Sequence, residues 1–313
     1  MLDGSKVEAQ YEDYAQSANT LFHFMNEEKF LKSILLNKAI VPRYCIENIE
    51  YLGVTTETSK FKEIAVLQKC FCDIPIHKLM ENFELNGVGE AYEELSNEEK
   101  LSFARNNNHP AYYGQFAIAL SKKWGEEKKL QPVHYLNEKS IFTKEFANTL
   151  NSILRTEEIG EEYANDLLNR LAYIKPLRGI MKRMSKSPDK ESVVEIYKNF
   201  HDEQEWRYVP SESVLSKLEL SSIIANSNLI KRPDEIKRIN SILETSKYKS
   251  LWLEYNYNEV RYIIVPDAHA RISIIKTIME IPDEQFNNFS EALLEKQILI
   301  SKILVLNEVR KDW

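Results

Sequence analysis

Two ionisable side chains stand out because each lies in a short apolar or aromatic segment. His23 lies between Phe22 and Phe24 in the segment LFHFM, and Glu205 opens the segment EWRYVP. An imidazole titrates near neutral pH and exchanges hydrogen bonds in both directions, and a carboxylate can stabilise positive charge that develops during a reaction. We therefore take a cleft between the segment of His23 and the segment of Glu205 as the candidate working site.

Each of these residues also has an interpretation without chemistry. On a strand, alternation places His23 on the opposite face from its two phenylalanine neighbours, and a hydrogen-bonded histidine without a catalytic role fits that position equally well. Glu205 follows the acidic residues Asp202 and Glu203, which is typical of a solvated turn that leads into a strand. Glu205 and Arg207 also share a strand face, so a salt bridge between them is a third interpretation.

The cysteines offer a metal site only at an unfavourable spacing. Cys70 and Cys72 flank a single residue and are followed by Asp73 and His77. Two cysteines this close are not typical of zinc sites, so we favour buried cysteines and predict no bound metal. Asp73 lies just before Ile-Pro and is expected to cap a helix. The chain has 3 cysteines, an odd number that does not indicate a disulfide framework.

The sequence lacks the motifs of several large enzyme classes. It contains no G-x-x-x-x-G-K-[ST], G-x-G-x-x-G, G-x-S-x-G or H-E-x-x-H. Its 41 basic residues are intermixed with 48 acidic ones, for a formal charge of −7, so no basic stripe predicts nucleic-acid binding, although the charge does not exclude it. Lys175-Pro176 and Arg178 are expected to form a helix boundary on a basic surface, with phosphate binding as the alternative.

Neither a signal peptide nor a membrane span is expected. The first residues, MLDGSKVEAQYEDYAQ, are polar and acidic and have no apolar centre. The longest apolar runs, at 262–265 and 303–306, are far shorter than the roughly 20 residues that cross a bilayer. Together with the cysteine usage, this predicts a cytoplasmic protein without membrane contact.

Hydrophobic periodicity predicts short strands separated by helices. Strands are expected where apolar or aromatic residues run over a few positions, at 21–25, 64–75, 116–121, 131–136, 205–210 and 302–306. Segments 251–257 and 260–265 are separated by two residues, which predicts a hairpin. Asn26 is expected to cap a helix over 27–38.

These elements predict a single α+β domain over residues 1–313. Residues 1–19 are expected to form a polar arm. Residues 140–200 have helical periodicity almost throughout and no Pro/Gly/Ser-rich linker beside them, which predicts a helical insertion within the domain. Because strands and helices do not alternate regularly, we expect a mixed or antiparallel sheet and not a doubly wound parallel one.

Several strings, taken in their order, resemble one known family. They are LFHFMNEEKFLKSILLNKAIVPRYC, CFCDIP, YYGQFAIALSKKWGEEKKLQPVHYLNE, EWRYV and the tail from VRYIIVPDA to LISKILVLNEVRKDW. Together they resemble the AbiGi family of bacterial abortive-infection proteins, which are linked to phage resistance, from about residue 18 to the end. The resemblance implies a role in phage defence. AbiGi-type proteins are also described as the antitoxin-like partner of a toxic nucleotidyltransferase.

The front half is also similar, more distantly, to ADP-ribosyltransferase folds. That resemblance implies an NAD site in which His23 donates to a ribose hydroxyl, Tyr112 or Tyr113 stacks on nicotinamide, and Arg43 meets the pyrophosphate. Glu205 would be the catalytic carboxylate, facing the oxocarbenium-like state that forms when the nicotinamide–ribose bond breaks. With 16 tyrosines in the chain, a core or turn role for either tyrosine is the competing interpretation.

The leading hypothesis from the sequence is a phage-defence effector that is similar to NAD-dependent ADP-ribosyltransferases and modifies a macromolecule, with nucleic acid as one candidate acceptor. The first alternative is a non-catalytic antitoxin or regulatory partner of a toxin. That alternative predicts an exposed apolar or tyrosine-rich patch, expected on the helical insertion. The second alternative is a hydrolase that acts on NAD or nucleic acid in the same cleft.

Overall fold

A computed structural model describes residues 17–55, 60–83, 88–155, 161–186, 191–225 and 227–312. The predicted polar arm lies outside the described residues as far as residue 16. The strands are β1 (Thr20–Met25), β2 (Ala39–Ile40), β3 (Arg43–Asn48), β4 (Glu63–Cys72), β5 (Phe116–Ser121), β6 (Gln131–Pro132), β7 (His134–Leu136), β8 (Ile174–Pro176), β9 (Arg178–Lys186), β10 (Glu191–Asn199), β11 (Glu205–Tyr208), β12 (Ile223–Ile224), β13 (Leu253–Glu254), β14 (Val260–Val265) and β15 (Ile303–Val305).

Helices of varied length connect these strands. The α-helices are α1 (Glu28–Asn37), α2 (Glu90–Glu93), α3 (Asn97–Arg105), α4 (His109–Tyr113), α5 (Lys122–Glu127), α6 (Ile141–Arg155), α7 (Glu161–Arg170), α8 (Glu212–Lys217), α9 (Ser227–Ile230), α10 (Pro233–Leu243), α11 (Ala268–Glu280), α12 (Ala292–Ser301) and α13 (Leu306–Asp312). Short 3₁₀ helices cover Glu50–Leu52, Ile76–Lys78, Leu171–Tyr173, Phe200–Glu203, Ser246–Leu251, Tyr257–Glu259, Asp283–Gln285 and Phe289–Glu291. None of the described helices combines the length and the apolarity that crossing a bilayer requires.

The main sheet is mixed. In the part of the chain that the structure describes, its strand order is β15-β14-β5-β1-β4-β11-β6, and β3 and β12 also pair with β4. Neighbouring strands run antiparallel except β14 and β15, which are parallel. The first strand of the chain therefore lies in the interior of the sheet, between β5 and β4. The expected α+β class with a mixed sheet is confirmed.

The interior strands are covered on both faces. On one face of β1, Leu21 packs in a large apolar cluster with Leu35 of α1 and Ile274 of α11. On the other face, Phe22 packs with Leu306, the first residue of α13. The helix α1 forms because its buried side chains recur at helical spacing. It ends at Asn37, and the next residue, Lys38, caps it in the left-handed conformation with φ of 53°. The expected Asn26 cap is wrong, since the N-cap is Glu27 and makes no side-chain cap bond.

The segment 140–200 is helical only in its first half, so the expected helical insertion is wrong in its second half. Beyond α6 and α7, the strands β9 and β10 form an antiparallel hairpin from the pair Arg178–Asn199 to the pair Lys186–Glu191. From residue 194 to residue 199 of β10, the buried residues are Val194, Ile196 and Lys198, which is a period of two and not a helical period. Residues 156–160 and 187–190 lie outside the described part.

The expected strands at 21–25, 116–121, 205–210 and 302–306 are confirmed by β1, β5, β11 and β15. The expected hairpin over 251–265 is wrong, because β13 pairs with β2 while β14 pairs with β5 and β15. Two tyrosines explain the difference. The hydroxyls of Tyr255 and Tyr257 donate to the carbonyl oxygens of Ile34 and Leu35, at 3.1 and 2.7 Å, so this segment follows α1.

Candidate functional site

The candidate site depends on which sheet face each side chain occupies. On neighbouring antiparallel strands, Glu205 lies opposite Cys72, and Cys72 lies opposite Phe22. Paired residues share a face and successive residues alternate, so Glu205 is on the face of Phe22 and His23 is on the other face. The ring of His23 packs at 5.5 Å from that of Phe71, which confirms its side. The expected cleft between His23 and Glu205 is therefore not formed.

His23 is held in place by a hydrogen bond to the backbone. Its Nδ1 lies 2.9 Å from the carbonyl oxygen of Cys70, so Nδ1 carries the proton and donates it. Burial, and then the positive charge of Lys69, lower the pKa of His23 well below its usual value. A neutral, partly buried histidine matches the interpretation without chemistry.

Glu205 is buried and both of its carboxylate oxygens are engaged by cations. Arg207 Nε donates to Oε1 at 2.5 Å, and Lys175 Nζ donates to Oε2 at 2.9 Å. Burial alone would raise the pKa of Glu205, but Arg207 and then Lys175 outweigh it and hold that pKa far below its usual range. The salt-bridge interpretation of Glu205 and Arg207 is thus confirmed.

Glu203 forms the second half of the same network. Its Oε2 accepts from Lys175 Nζ at 2.7 Å, its Oε1 accepts from Lys198 Nζ at 2.8 Å, and the hydroxyl of Tyr113 donates to Oε1. Burial would raise the pKa of Glu203, but Lys175 and Lys198 lower it to about 2. Burial, and then the charge of Glu203, raise the pKa of Tyr113 well above its usual value.

Arg207 connects this network to Glu47 of β3. It is fully buried, and it donates to Glu47 at 2.9 Å and to the carbonyl oxygen of Ala172 at 2.7 Å. We call the whole group the ion cluster, and its members are Glu47, Glu203, Glu205, Lys175, Lys198 and Arg207. Three carboxylates balance three cations, so the ion cluster has no net charge. A carboxylate that two cations already neutralise is poorly placed to face a developing positive charge.

The structure brings only one of the other predicted site residues to Glu205. Tyr113 reaches the ion cluster through Glu203, whereas the hydroxyl of Tyr112 donates to Asn107 and its ring packs against Phe83. Arg43 lies opposite Gln68 of β4, four positions from Cys72, which pairs with Glu205. Its side chain pairs with Glu244 and stacks over the Phe30 ring at 4.9 Å. No contact joins Arg43 to Glu205 among the described residues.

Sequence reasoning missed Lys198 and the burial of Glu203 and Lys175. Lys175 was expected at a basic surface, but it lies in β8 and is largely enclosed. Its pKa is raised well above the usual value because Glu203 and Glu205 outweigh the effect of burial. The alternation of β10 is the one signal that could have placed Lys198 on the buried face, beside Val194 and Ile196.

Gly114 is required by a close approach of two backbones. Its φ is +110°, and a Cβ atom at this position would lie 2.1 Å from the carbonyl oxygen of Met25. Only glycine fits such a contact without displacement. Gly114 therefore joins the end of α4, which carries Tyr113, to the end of β1.

The cysteine segment contains an ion pair and not a helix cap. Asp73 Oδ2 lies 2.5 Å from Lys122 Nζ, and both residues are buried. The following 3₁₀ helix has no side-chain cap, so the expected capping role of Asp73 is wrong. Within the described ranges, no group of three or more His, Cys, Asp and Glu residues could hold a metal ion.

These features define an α+β protein with a mixed sheet, in which the predicted catalytic carboxylate is neutralised by buried cations. Residues 100–266 match the family described as "Putative abortive phage resistance protein AbiGi, antitoxin". The chain is also 35% identical over 282 residues to the abortive phage resistance protein AbiGi of Lactococcus lactis subsp. cremoris, a match that covers 88% of this chain and 100% of that relative. The chain belongs to the AbiGi family of abortive phage resistance proteins. No solved structure matches it.

Proposed function

We propose that this chain acts in phage defence as a non-catalytic, antitoxin-type protein that binds a toxic protein and holds it inactive. Two observations support a binding role over a catalytic one. The matching family is described as an antitoxin. The carboxylate that the sequence offered for catalysis is buried, ion-paired and on the opposite sheet face from His23.

The observation that carries the proposal is the solvent face of α12. Leu293, Leu294 and Ile298 on this helix are 59%, 52% and 47% exposed, and Phe289 just before it is 64% exposed. We call these four residues the α12 patch. A helix that is apolar on both its buried and its solvent face is typical of a helix that a further partner covers.

A second, smaller apolar surface lies on the segment where the sequence predicted one. Ile141 and Phe142, at the start of α6, are 73% and 66% exposed. They support the expectation of an apolar patch on the insertion. The α12 patch has four such residues within ten positions, so we propose it as the main contact with the toxin.

The partner that the family resemblance suggests is a toxic nucleotidyltransferase. The test co-expresses this chain with the nucleotidyltransferase toxin of the same defence system and measures growth, then complex formation by size-exclusion chromatography. We expect restored growth and a stable complex. The double variant Leu294→Glu/Ile298→Glu should lose both, because two charges would be buried at the contact without partners.

The matched control is Leu101→Glu, which adds one charge at a residue of α3 that is 53% exposed. It should neutralise the toxin as the wild type does. Circular dichroism establishes that both variants are folded. If the wild type neither binds nor neutralises the toxin, or if the double variant works as well as the control, the antitoxin proposal is wrong.

NAD-dependent transfer of ADP-ribose to a macromolecule stays a prediction, and the residues offered for it do not fit NAD as a group. His23 Nδ1 is bound to a backbone carbonyl, Arg43 is paired with Glu244, and both oxygens of Glu205 are engaged. Incubation of the wild type with radiolabelled NAD and cell extract should give no labelled macromolecule. A labelled product would favour the transferase and contradict a purely non-catalytic role.

A further inference from the structure

A cavity of about 720 Å³ lies beside the ion cluster. It is enclosed by the loop that follows β4, the first residue of α4 and the ends of the β9–β10 hairpin. Neither His23 nor Glu205 lines it. Its volume falls within the range of about 300 to 1,000 Å³ that small-molecule sites occupy.

The buried cation in the wall of this cavity has unused donors. Lys198 is 5% exposed and lines the cavity. Its ammonium group has three N–H donors, and among the described residues only Glu203 Oε1 accepts from it, at 2.8 Å. The rings of Phe83 and Tyr113 enclose the nitrogen at 4.1 and 5.1 Å. Two donors of a buried ammonium are therefore left for a group that enters the cavity.

Three further polar atoms on the cavity lining lack a partner. In the described part of the chain, Asp73 Oδ1, His109 Nδ1 and Asn199 Oδ1 are buried and make no hydrogen bond, and all three residues line the cavity. The Asn199 amide is oriented by its other end, since Nδ2 donates to Asp202 at 3.0 Å. A buried polar group that is left without a hydrogen bond destabilises the protein. Donors and acceptors without partners converge here, which indicates a site built for a ligand.

The remaining walls narrow the class of ligand. The aromatic side chains of Phe83, His109 and Tyr197 line the cavity, and the exposed cations Lys78 and Arg178 lie on its lining as well. The carboxylates on the lining are those of Asp73, Glu81 and Asp202. A ligand that matches this lining has a flat ring whose edge carries both hydrogen-bond donors, which suit the carboxylates, and acceptors, and it carries an anionic group for the two exposed cations. A nucleobase joined to a phosphate has both parts.

We propose that this cavity is a binding site for a nucleoside monophosphate. The edge of the base accepts from Lys198 and bonds to Asn199 and His109, and the phosphate pairs with Arg178 and Lys78. The site is separate from the surface proposed for the toxin, and the inference does not rest on the antitoxin function.

The test titrates the full chain with AMP, GMP, CMP and UMP by calorimetry, with the matching nucleosides and inorganic phosphate as separate arms. We expect saturable binding of at least one of the monophosphates, and weaker binding of its nucleoside and of phosphate. Arg178→Ala should weaken binding about tenfold through loss of a charge-assisted contact, and Lys198→Met by more. Lys237→Ala, which removes an exposed cation on α10, should bind as the wild type does.

Lys198→Met also removes a partner of Glu203, so Arg178→Ala and Tyr197→Ala, at exposed residues, keep the test decisive if that variant does not fold. The proposal is wrong if no monophosphate saturates the protein at millimolar concentration. It is also wrong if inorganic phosphate binds as tightly as the best monophosphate, or if Arg178→Ala and Tyr197→Ala both bind like the control.

Discussion

The ion cluster and the α12 patch reverse the usual placement of charge and hydrocarbon. In the ion cluster, charged groups are enclosed, and each carboxylate has at least one cation within 2.9 Å. In the α12 patch, four large apolar side chains face solvent. The buried charges are satisfied within the chain, whereas nothing in the described part of the chain covers the exposed apolar residues. We infer that the first region serves stability and the second serves association.

The largest expected effect tests the stabilising role of the ion cluster. Arg207→Met removes a fully buried cation, which leaves Glu47 without its ion-pair partner and Glu205 with Lys175 alone. We expect a loss of about 3–5 kcal/mol in the free energy of unfolding, measured with urea. Arg43→Met removes an arginine from the exposed pair with Glu244 and should cost at most about 1 kcal/mol. Equal losses in the two variants would contradict the structural role of the ion cluster.

Acid should destabilise the protein for the same reason. The pKa of Glu203 is about 2 when folded, below its unfolded value, so its contribution is present above about pH 5 and is lost as the pH falls towards 2. Burial, and then Lys198, lower the pKa of His109 to about 3, so stability is also lost from about pH 7 downwards as the unfolded chain takes up a proton. Together these effects are on the order of several kcal/mol.

Urea midpoints measured from pH 3 to pH 7 check this dependence. His109→Phe should flatten the curve between pH 7 and pH 5, where Glu203 does not titrate. It should also make the fall between pH 5 and pH 3 shallower, leaving there the part that comes from Glu203. A midpoint that does not vary with pH would mean that neither group has a shifted pKa in the folded protein.

The variant Gly114→Ala tests whether the backbone contact beside Tyr113 is needed for stability. Gly114→Ala should cost about 2–3 kcal/mol, because the added Cβ atom meets the Met25 carbonyl oxygen. Gly53→Ala is the matched variant, since Gly53 also has a positive φ, of 57°, but has no atom within 4 Å of the added carbon. It should cost about 1 kcal/mol, from the left-handed conformation alone. Equal urea midpoints for the two variants would show that the close contact relaxes easily.

The smallest expected effect concerns the α12 patch. Leu294→Glu/Ile298→Glu should change the free energy of unfolding of the isolated chain by no more than about 0.5 kcal/mol per residue, because both side chains are exposed. The measurement is the thermal midpoint without toxin. A large loss of stability would mean that these residues already pack within this protein, and the contrast with the ion cluster would disappear.

The strands that form the sheet were predictable because their apolar residues cluster in short runs. β1, β5 and β11 lie where the sequence expects them. The side of the sheet on which each residue lies was not predictable, since it depends on pairing register, and a shift of one residue reverses every side chain. That is why His23 and Glu205 were expected together and are found on opposite faces.

The ion cluster could be predicted only in its local part. Glu205 and Arg207 are two residues apart on one strand, so their pairing follows from alternation. Lys175 reaches Glu205 from 30 residues away in the chain, and Arg207 reaches Glu47 from 160 residues away. These contacts between distant segments arise because β3, β8 and β10 pack around β11. The spacing of residues along a single sequence does not show which distant strands pack together.

The central position of β1 has a consequence for synthesis on the ribosome. Its two neighbours are β4 and β5, and β5 ends at Ser121. At about 5–20 residues per second, roughly 5 to 20 s pass between the appearance of β1 and the completion of β5. During that interval the nascent chain presents the segment LFHFM with an unpaired edge and no charged residue. We expect newly made chains to depend on chaperones at the ribosome exit, and fragments that end before β5 to aggregate.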